Sequence, residues 1–337
     1  MFNFNVERYE KVVNDAIALR PQIEKAVDEI CQQGFSNLFF IGCGGTYAHS
    51  LPMMYWLDTA SNIEHHSVIA AEFMAMGHKR FTKDSVCIFS TRSGNTKEIV
   101  AAAKFCKEAG ARTLVYVSND NTPVCEYADY KFFSFAEDDC LCEAIYTYMF
   151  ALVGRFMKNA GEFDKYDEFM SQYANIVPYL LKAKEKYEDK CAVMAKEHKD
   201  TDYHMVIGSG MLWGEAYDYA MCILEEMQWI RTKSIHAAEY FHGTLELVEK
   251  DTSLILFYGE DETRPLMDRV LNFSKKITDV INVFDTKDIE LPFTDQEYRK
   301  IVSPMVMYAI TERLSCHLEK ERNHPLTTRR YYRQMEY

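Results

Sequence analysis

The sequence predicts an α/β protein made of two parallel sheets, each flanked by helices in a flavodoxin-like, doubly wound arrangement. Three observations carry this. A strand, a glycine turn and a helix recur, first around Leu38–Ile41 and again around Met205–Ile207. The strands are short, continuous apolar runs bounded by turn residues, as expected where both faces of a strand are covered. At 337 residues the chain exceeds the roughly 100 to 200 residues of one domain.

Taken in order, residues 6–33 place apolar positions at helical spacing and end at Gly34, which reads as one opening helix with a glycine cap. The strand Leu38–Ile41 leads into Gly42-Cys43-Gly44-Gly45-Thr46. A second strand, Val86–Phe89, runs into the polar loop Ser90–Thr96, a helix Lys97–Ala109 stopped by Gly110, and a strand Leu114–Val117. A charged stretch, Glu162–Asp200, reads as a solvated connecting helix. The pattern then restarts with Met205–Ile207, Gly208-Ser209-Gly210, a helix through Glu226, strand Leu254–Tyr258, helix Arg264–Lys276 and strand Val280–Phe284. The expected division is a first domain over 1–165 and a second over 195–337, two copies of one plan.

Composition excludes several classes. A net charge of −13 repels nucleic acid and anionic membrane, since backbone binding needs a basic surface. The start lacks the basic and apolar regions of a secretory signal, and no apolar run reaches the roughly 20 residues of a membrane span, so a cytoplasmic location is expected. The ten cysteines lie mostly in apolar segments, as Cys87, Cys106 and Cys222 do, and read as reduced core thiols. Cys140 and Cys142 form a CxC with no second ligand pair at zinc spacing. Neither metal nor cofactor is expected.

The loop Ser90-Thr91-Arg92-Ser93-Gly94-Asn95-Thr96 reads as a phosphate cradle. Its four hydroxyls, the amides near Gly94 and the positive end of the next helix would converge on one anion, and Arg92 would add charge. Gly44, Gly45 and Thr46 end the first strand and would face the same crevice. The glycines do not form GxGxxG, so a dinucleotide site is not implied.

IGCGGTY followed by STRSGNT resembles the paired loops of the SIS (sugar isomerase) family of phosphosugar isomerases and binders. The resemblance runs from about residue 20 to the end and implies two tandem SIS domains. Through the family pattern SxSGxT it implies that Thr91, Ser93 and Thr96, with Thr46, hold a sugar phosphate. The loop Gly259-Glu260-Asp261-Glu262 of the second half lacks that pattern and is acidic, so one phosphate site per chain is expected. The charge of Asp261 and Glu262 would instead suit a cationic amine.

The stretch from Glu225-Glu226 to His242-Gly243 resembles the family's catalytic segment, in which a glutamate base and a histidine stand sixteen positions apart, as Glu226 and His242 do. A carboxylate can move a proton between adjacent carbons, and an imidazole can open a sugar ring. Glu226 shares a helical face with Cys222, which suits a half-buried base. His236 and Glu239 read as structural. The sequence is similar to the isomerase half of glucosamine-fructose-6-phosphate synthases, but no cysteine near Met1 offers a glutaminase nucleophile and no lysine follows Lys320 to form an imine. The ending, from Asn323-His324-Pro325 through Arg329-Arg330-Tyr331-Tyr332, resembles the fructoselysine-6-phosphate deglycase branch. That implies release of an amine from a phosphorylated Amadori compound. An aldose–ketose isomerase, a glucosamine-6-phosphate deaminase and a non-catalytic sugar-phosphate sensor remain alternatives. The family also implies a homodimer, or a larger homo-oligomer, in which the His242 position serves a neighbour's site; the 22 Tyr and 21 Phe suit such an interface.

Overall fold

The computed structural model describes residues 1–136 and 141–336. The chain forms two compact units, Asn5–Val177 and Pro178–Tyr337, and the second also takes in Met1–Phe4. Cys140 lies outside the described residues; the other nine cysteines are free thiols. Among the described residues, no helix is long and apolar enough to cross a membrane.

The first unit contains five parallel strands, β1 (Asn37–Gly42), β2 (His65–Ile69), β3 (Ser85–Thr91), β4 (Arg112–Val117) and β5 (Tyr130–Phe133), in the order β2-β1-β3-β4-β5. Alternation along the strands explains the two-sided burial. Phe39, Ile41, Cys87, Phe89, Val115 and Val117 pack one face against Phe73, Ile99 and Ala103. Their neighbours Leu38, Phe40, Val86, Ile88, Leu114 and Tyr116 are buried on the other face, where Tyr116 stacks on Tyr148 at 5.2 Å. Each such side chain contributes roughly 1.5–3 kcal/mol when fully buried.

The single opening helix expected over 6–33 is two, Val6–Ile17 and Arg20–Gln33. Pro21 is the reason: it has no N–H to continue the first helix but fits the first turn of the next. The expected connecting helix is likewise two, Tyr166–Tyr173 and Val177–His198.

The second unit holds β6 (Tyr203–Gly208), β7 (Arg231–His236), β8 (Ser253–Tyr258) and β9 (Ile281–Asp285), parallel and in the order β7-β6-β8-β9. This repeats the first four positions of the first sheet. The strands without an apolar run in the sequence, β2, β5 and β7, are the half-exposed edges. Arg231-Thr232-Lys233-Ser234 shows why: an edge strand buries little, so polar residues suffice.

A 27-residue helix, Gln296–Arg322, runs buried through this unit and carries charge into it. Arg313, 0% exposed, meets Glu188 at 2.7 Å and Glu312 at 3.2 Å, and Lys184 meets Glu312 at 3.2 Å. Burial alone would raise the pKa of Glu312; the charges of Lys184 and Arg313 outweigh it and hold the carboxyl below its ordinary value. Glu188 also accepts the Phe2 N–H at 2.6 Å, and Arg313 donates to the Phe2 carbonyl, which ties Met1–Phe4 to this unit.

His204 on β6 is buried and hydrogen-bonded to Ser253 on β8 at 2.8 Å. Burial, with His198 and Arg322 adding to it, pushes its pKa down to about 4. The folded state therefore holds His204 neutral while the unfolded chain protonates near pH 6.5. Its contribution is intact above pH 6.5 and is lost as pH falls from 6.5 towards 4, by roughly 3 kcal/mol in all. His204→Gln should flatten the pH dependence of Tm across that window relative to wild type; parallel curves for the two proteins would contradict this.

Candidate active site

Strands β1 and β3 are neighbours whose chains leave in opposite directions, β1 towards β2 and β3 towards β4. The loops after them diverge and open a crevice at the carboxyl edge of the sheet, where open α/β sheets bind ligands. Those loops are Gly42–Thr46 and Arg92–Thr96. The expected convergence of four hydroxyls does not hold. Ser90 and Thr91 are the last two residues of β3 and alternate between sheet faces. The Thr91 hydroxyl accepts the Gly94 N–H at 3.2 Å, and the Thr46 hydroxyl bonds the Cys43 backbone at 3.0 and 3.2 Å. These two threonines brace the turns.

Ser93 and Thr96 are half-buried at the loop, and Arg92 is exposed. Thr96 occupies the N-cap of helix Lys97–Glu108 yet makes no side-chain capping bond. That leaves the positive end of a 12-residue helix, directly after the loop, without a bond from its N-cap side chain. Gly94 has φ +62°, and a Cβ there would lie 1.9 Å from Thr122 Oγ1. In the first loop, Gly44 (φ +54°) and Gly45 lead into a short helical turn. Burial, and then Glu98, pushes the Cys43 thiol up, so it is no nucleophile at neutral pH.

The second unit has the same crevice between β6 and β8, but a carboxylate fills it. Asp261, 6% exposed, accepts the Met211 N–H at 3.1 Å and both the N–H and hydroxyl of Thr263 at 2.8 and 2.5 Å. Gly210 (φ +53°) permits this approach, because its Cβ would lie 2.4 Å from Asp261 Oδ1. Asp261 therefore does not face outwards to a cationic amine, as its sequence position suggested. The exposed Glu262 is paired with Lys300 at 3.0 Å.

Glu226 lies at the opposite, amino-terminal edge of this sheet. It lines a 920 Å³ cavity with Tyr203, Arg231, Arg322, Arg329 and Arg330. The segment before it, Tyr219–Glu225, is π-helical, so the i, i+4 face expected to join Cys222 to Glu226 is rotated. The helix ends at Trp229 in the left-handed conformation, where the Ile230 N–H bonds the Leu224 carbonyl at 2.9 Å. Glu225 is engaged by the Thr232 hydroxyl at 2.6 Å, and Glu226 pairs with Arg329 at 2.9 Å.

His242 is exposed and absent from that cavity. It follows the carboxyl end of β7, whereas Glu226 precedes its start. A six-residue strand, about 20 Å long, lies between them. The chain thus does not bring its own Glu226 and His242 together within this unit. His236 is half-buried, with Nδ1 accepting the Ala238 N–H at 3.2 Å and burial pushing its pKa down; Glu239 is exposed.

A SIS domain model matches residues 33–155, the segment that holds both crevice loops. A solved structure from Salmonella typhimurium LT2, described as a candidate phosphosugar isomerase, is 30% identical, covers 94% of this chain and 97% of its own, and superposes with a TM-score of 0.86. The chain belongs to the SIS-domain phosphosugar isomerase family. Fructosamine deglycase FrlB of Bacillus subtilis is 29% identical over 318 residues, 94% of this chain and 97% of that protein. Fructoselysine 6-phosphate deglycase of Escherichia coli is 24% identical over 331 residues, 97% and 93% respectively. As a SIS-family enzyme, the chain pairs a first-unit crevice between two glycine turns with a second-unit crevice closed by its own Asp261. What the sequence did not reveal was Asp261 as occupant and Arg329 as the partner of Glu226; a lone acid in a glycine loop and a tail arginine carry no periodic signal.

Two measurements follow. Gly94→Ala forces a strained φ and a collision with Thr122, so binding of glucose 6-phosphate by calorimetry should weaken at least tenfold, and unchanged affinity would remove the loop from the site. Asp261→Asn loses charge-assisted bonds and should lower stability in urea by roughly 2 kcal/mol; no change would mean the carboxylate is not what fills the second crevice.

Proposed function

We propose that this enzyme is a deglycase that splits 6-phosphorylated Amadori compounds, such as fructoselysine or glucoselysine 6-phosphate, into glucose 6-phosphate and a free amine. The observation that carries the reading is Glu226 in a large cavity, within a chain whose nearly full-length relatives include FrlB and fructoselysine 6-phosphate deglycase. Ser93, Thr96 and the amides of the first-unit loop hold the phosphate, with Thr46, Thr91, Gly44 and Gly45 shaping the turns and Arg92 adding charge. His242 protonates and deprotonates ring oxygens to open the sugar. Glu226 takes a proton from C1 as O2 gains one, giving an enaminol, and returns a proton to C2. The resulting C1 imine adds water and expels the amine, so one water is consumed and no oxidant is needed.

The reading includes a homodimer. Glu226 and His242 lie on opposite sides of β7, so a partner's histidine is the simpler source of the second group.

With fructoselysine 6-phosphate, glucose 6-phosphate should appear in a coupled assay, and Glu226→Gln should lower kcat by roughly 10²–10⁴. No release from any Amadori phosphate would refute the reading, and ammonia from glucosamine 6-phosphate instead would make the enzyme a deaminase. Mixing Glu226→Gln with His242→Asn after mild dissociation should restore up to roughly a quarter of wild-type activity, because mixed dimers hold one intact site. No recovery would place both groups in one chain's site.

A further inference from the structure

We infer that Arg329 is a positioning residue that holds the Glu226 carboxylate in its working orientation; this rests on the reading of Glu226 as the base. The contact is specific. Arg329 Nε and Glu226 Oε1 form an ion pair at 2.9 Å, with the arginine side chain 19% and the glutamate side chain 36% exposed. Partial burial on both sides raises the electrostatic value of the pair above that of a surface ion pair.

The guanidinium is itself fixed. Its Nη1 donates to the carbonyls of Leu326 at 2.7 Å and Thr328 at 3.0 Å, so the turn that carries Arg329 also orients it. That turn is tied down independently of Glu226. The Leu326 N–H bonds Glu319 Oε1 at 2.9 Å, and Gln228 donates to the His324 carbonyl at 2.8 Å. Arg330 stacks over Trp229 at 4.1 Å, and His324 meets the same ring edge-on at 4.5 Å. The aromatic anchor therefore stands three residues beyond Glu226, at the end of the same helix.

This division of labour has a chemical reason. A carboxylate on the final turn of a helix, after a π-helical stretch, has rotamer freedom that must be removed before it can face one carbon atom. A lysine ammonium on its flexible stem would wander, whereas this guanidinium is held by two backbone carbonyls and keeps its charge at one point beside the carboxylate. Arg329 thus sets a fixed positive charge against one oxygen of the carboxylate. Arg330 holds the tail; Arg329 aims the base.

The test compares Arg329→Ala, Arg329→Lys and Arg330→Ala with wild type in steady-state deglycation of fructoselysine 6-phosphate. A positioning role predicts that Arg329→Ala lowers kcat by roughly 10- to 100-fold with KM within about threefold, that Arg329→Lys recovers only part of this, and that millimolar guanidinium or ethylguanidinium raises the kcat of Arg329→Ala but not of wild type. Arg330→Ala should loosen the tail, seen as a change in Trp229 fluorescence and faster proteolysis after Arg322, with a smaller loss of kcat. If Arg329→Ala keeps kcat within twofold, or if its defect equals that of Arg330→Ala and no guanidinium rescue occurs, the tail only anchors itself and the inference fails. Full activity in Glu226→Gln would instead overturn the assignment of the base, whatever Arg329 does.

Discussion

The constraint on which the site depends is the handedness of crossovers between parallel strands. A right-handed connection places the helix after β1 on one face of the sheet and the helix after β3 on the other. Because β1 and β3 are adjacent, their following loops must part, and the gap between them is made by topology before any side chain is chosen. The side chains then finish it. Thr46 and Thr91 hold the two turns closed, and Gly94 brings its backbone against Thr122 where no other residue fits.

The second sheet repeats the strand order, and so inherits a crevice of the same kind. An open ring of amides and hydroxyls at a buried strand end is costly if left unpaired. In the first unit the Thr91 hydroxyl takes the Gly94 N–H. The second satisfies them with Asp261, which binds across from β8 to the turn after β6. With its carboxyl-edge crevice closed, this unit keeps a cavity at the other edge, around Glu226 and the tail.

Charge is distributed with the same economy. The chain is strongly acidic as a whole, yet its arginines gather where they hold a carboxylate in place: Arg313 on Glu188 and Glu312, Arg299 on Glu260, Arg264 on Asp285, Arg329 on Glu226. Each pair removes the freedom of an acid that would otherwise turn to water. In the buried helix Gln296–Arg322 this fixes Phe2 and the start of the chain; at the cavity it fixes a glutamate.

The sequence by itself determined the fold class, the duplicated plan, the central strands and the glycine turns that follow them, because covered strands must be continuously apolar and a turn in the left-handed region favours glycine. Glu226 and His242 were singled out through their resemblance to a known segment and not through any periodic pattern. Edge strands β2, β5 and β7 were not, since half-exposed strands need no apolar run. Nor was the break between the first two helices assigned, although Pro21 marks it. Only the tertiary structure decided that Thr46 and Thr91 brace turns, that Asp261 points inwards, that His242 lies beyond β7 from Glu226, and that Arg329 meets Glu226. Each of these depends on where residues distant in sequence arrive in space, and local propensity carries no information about that.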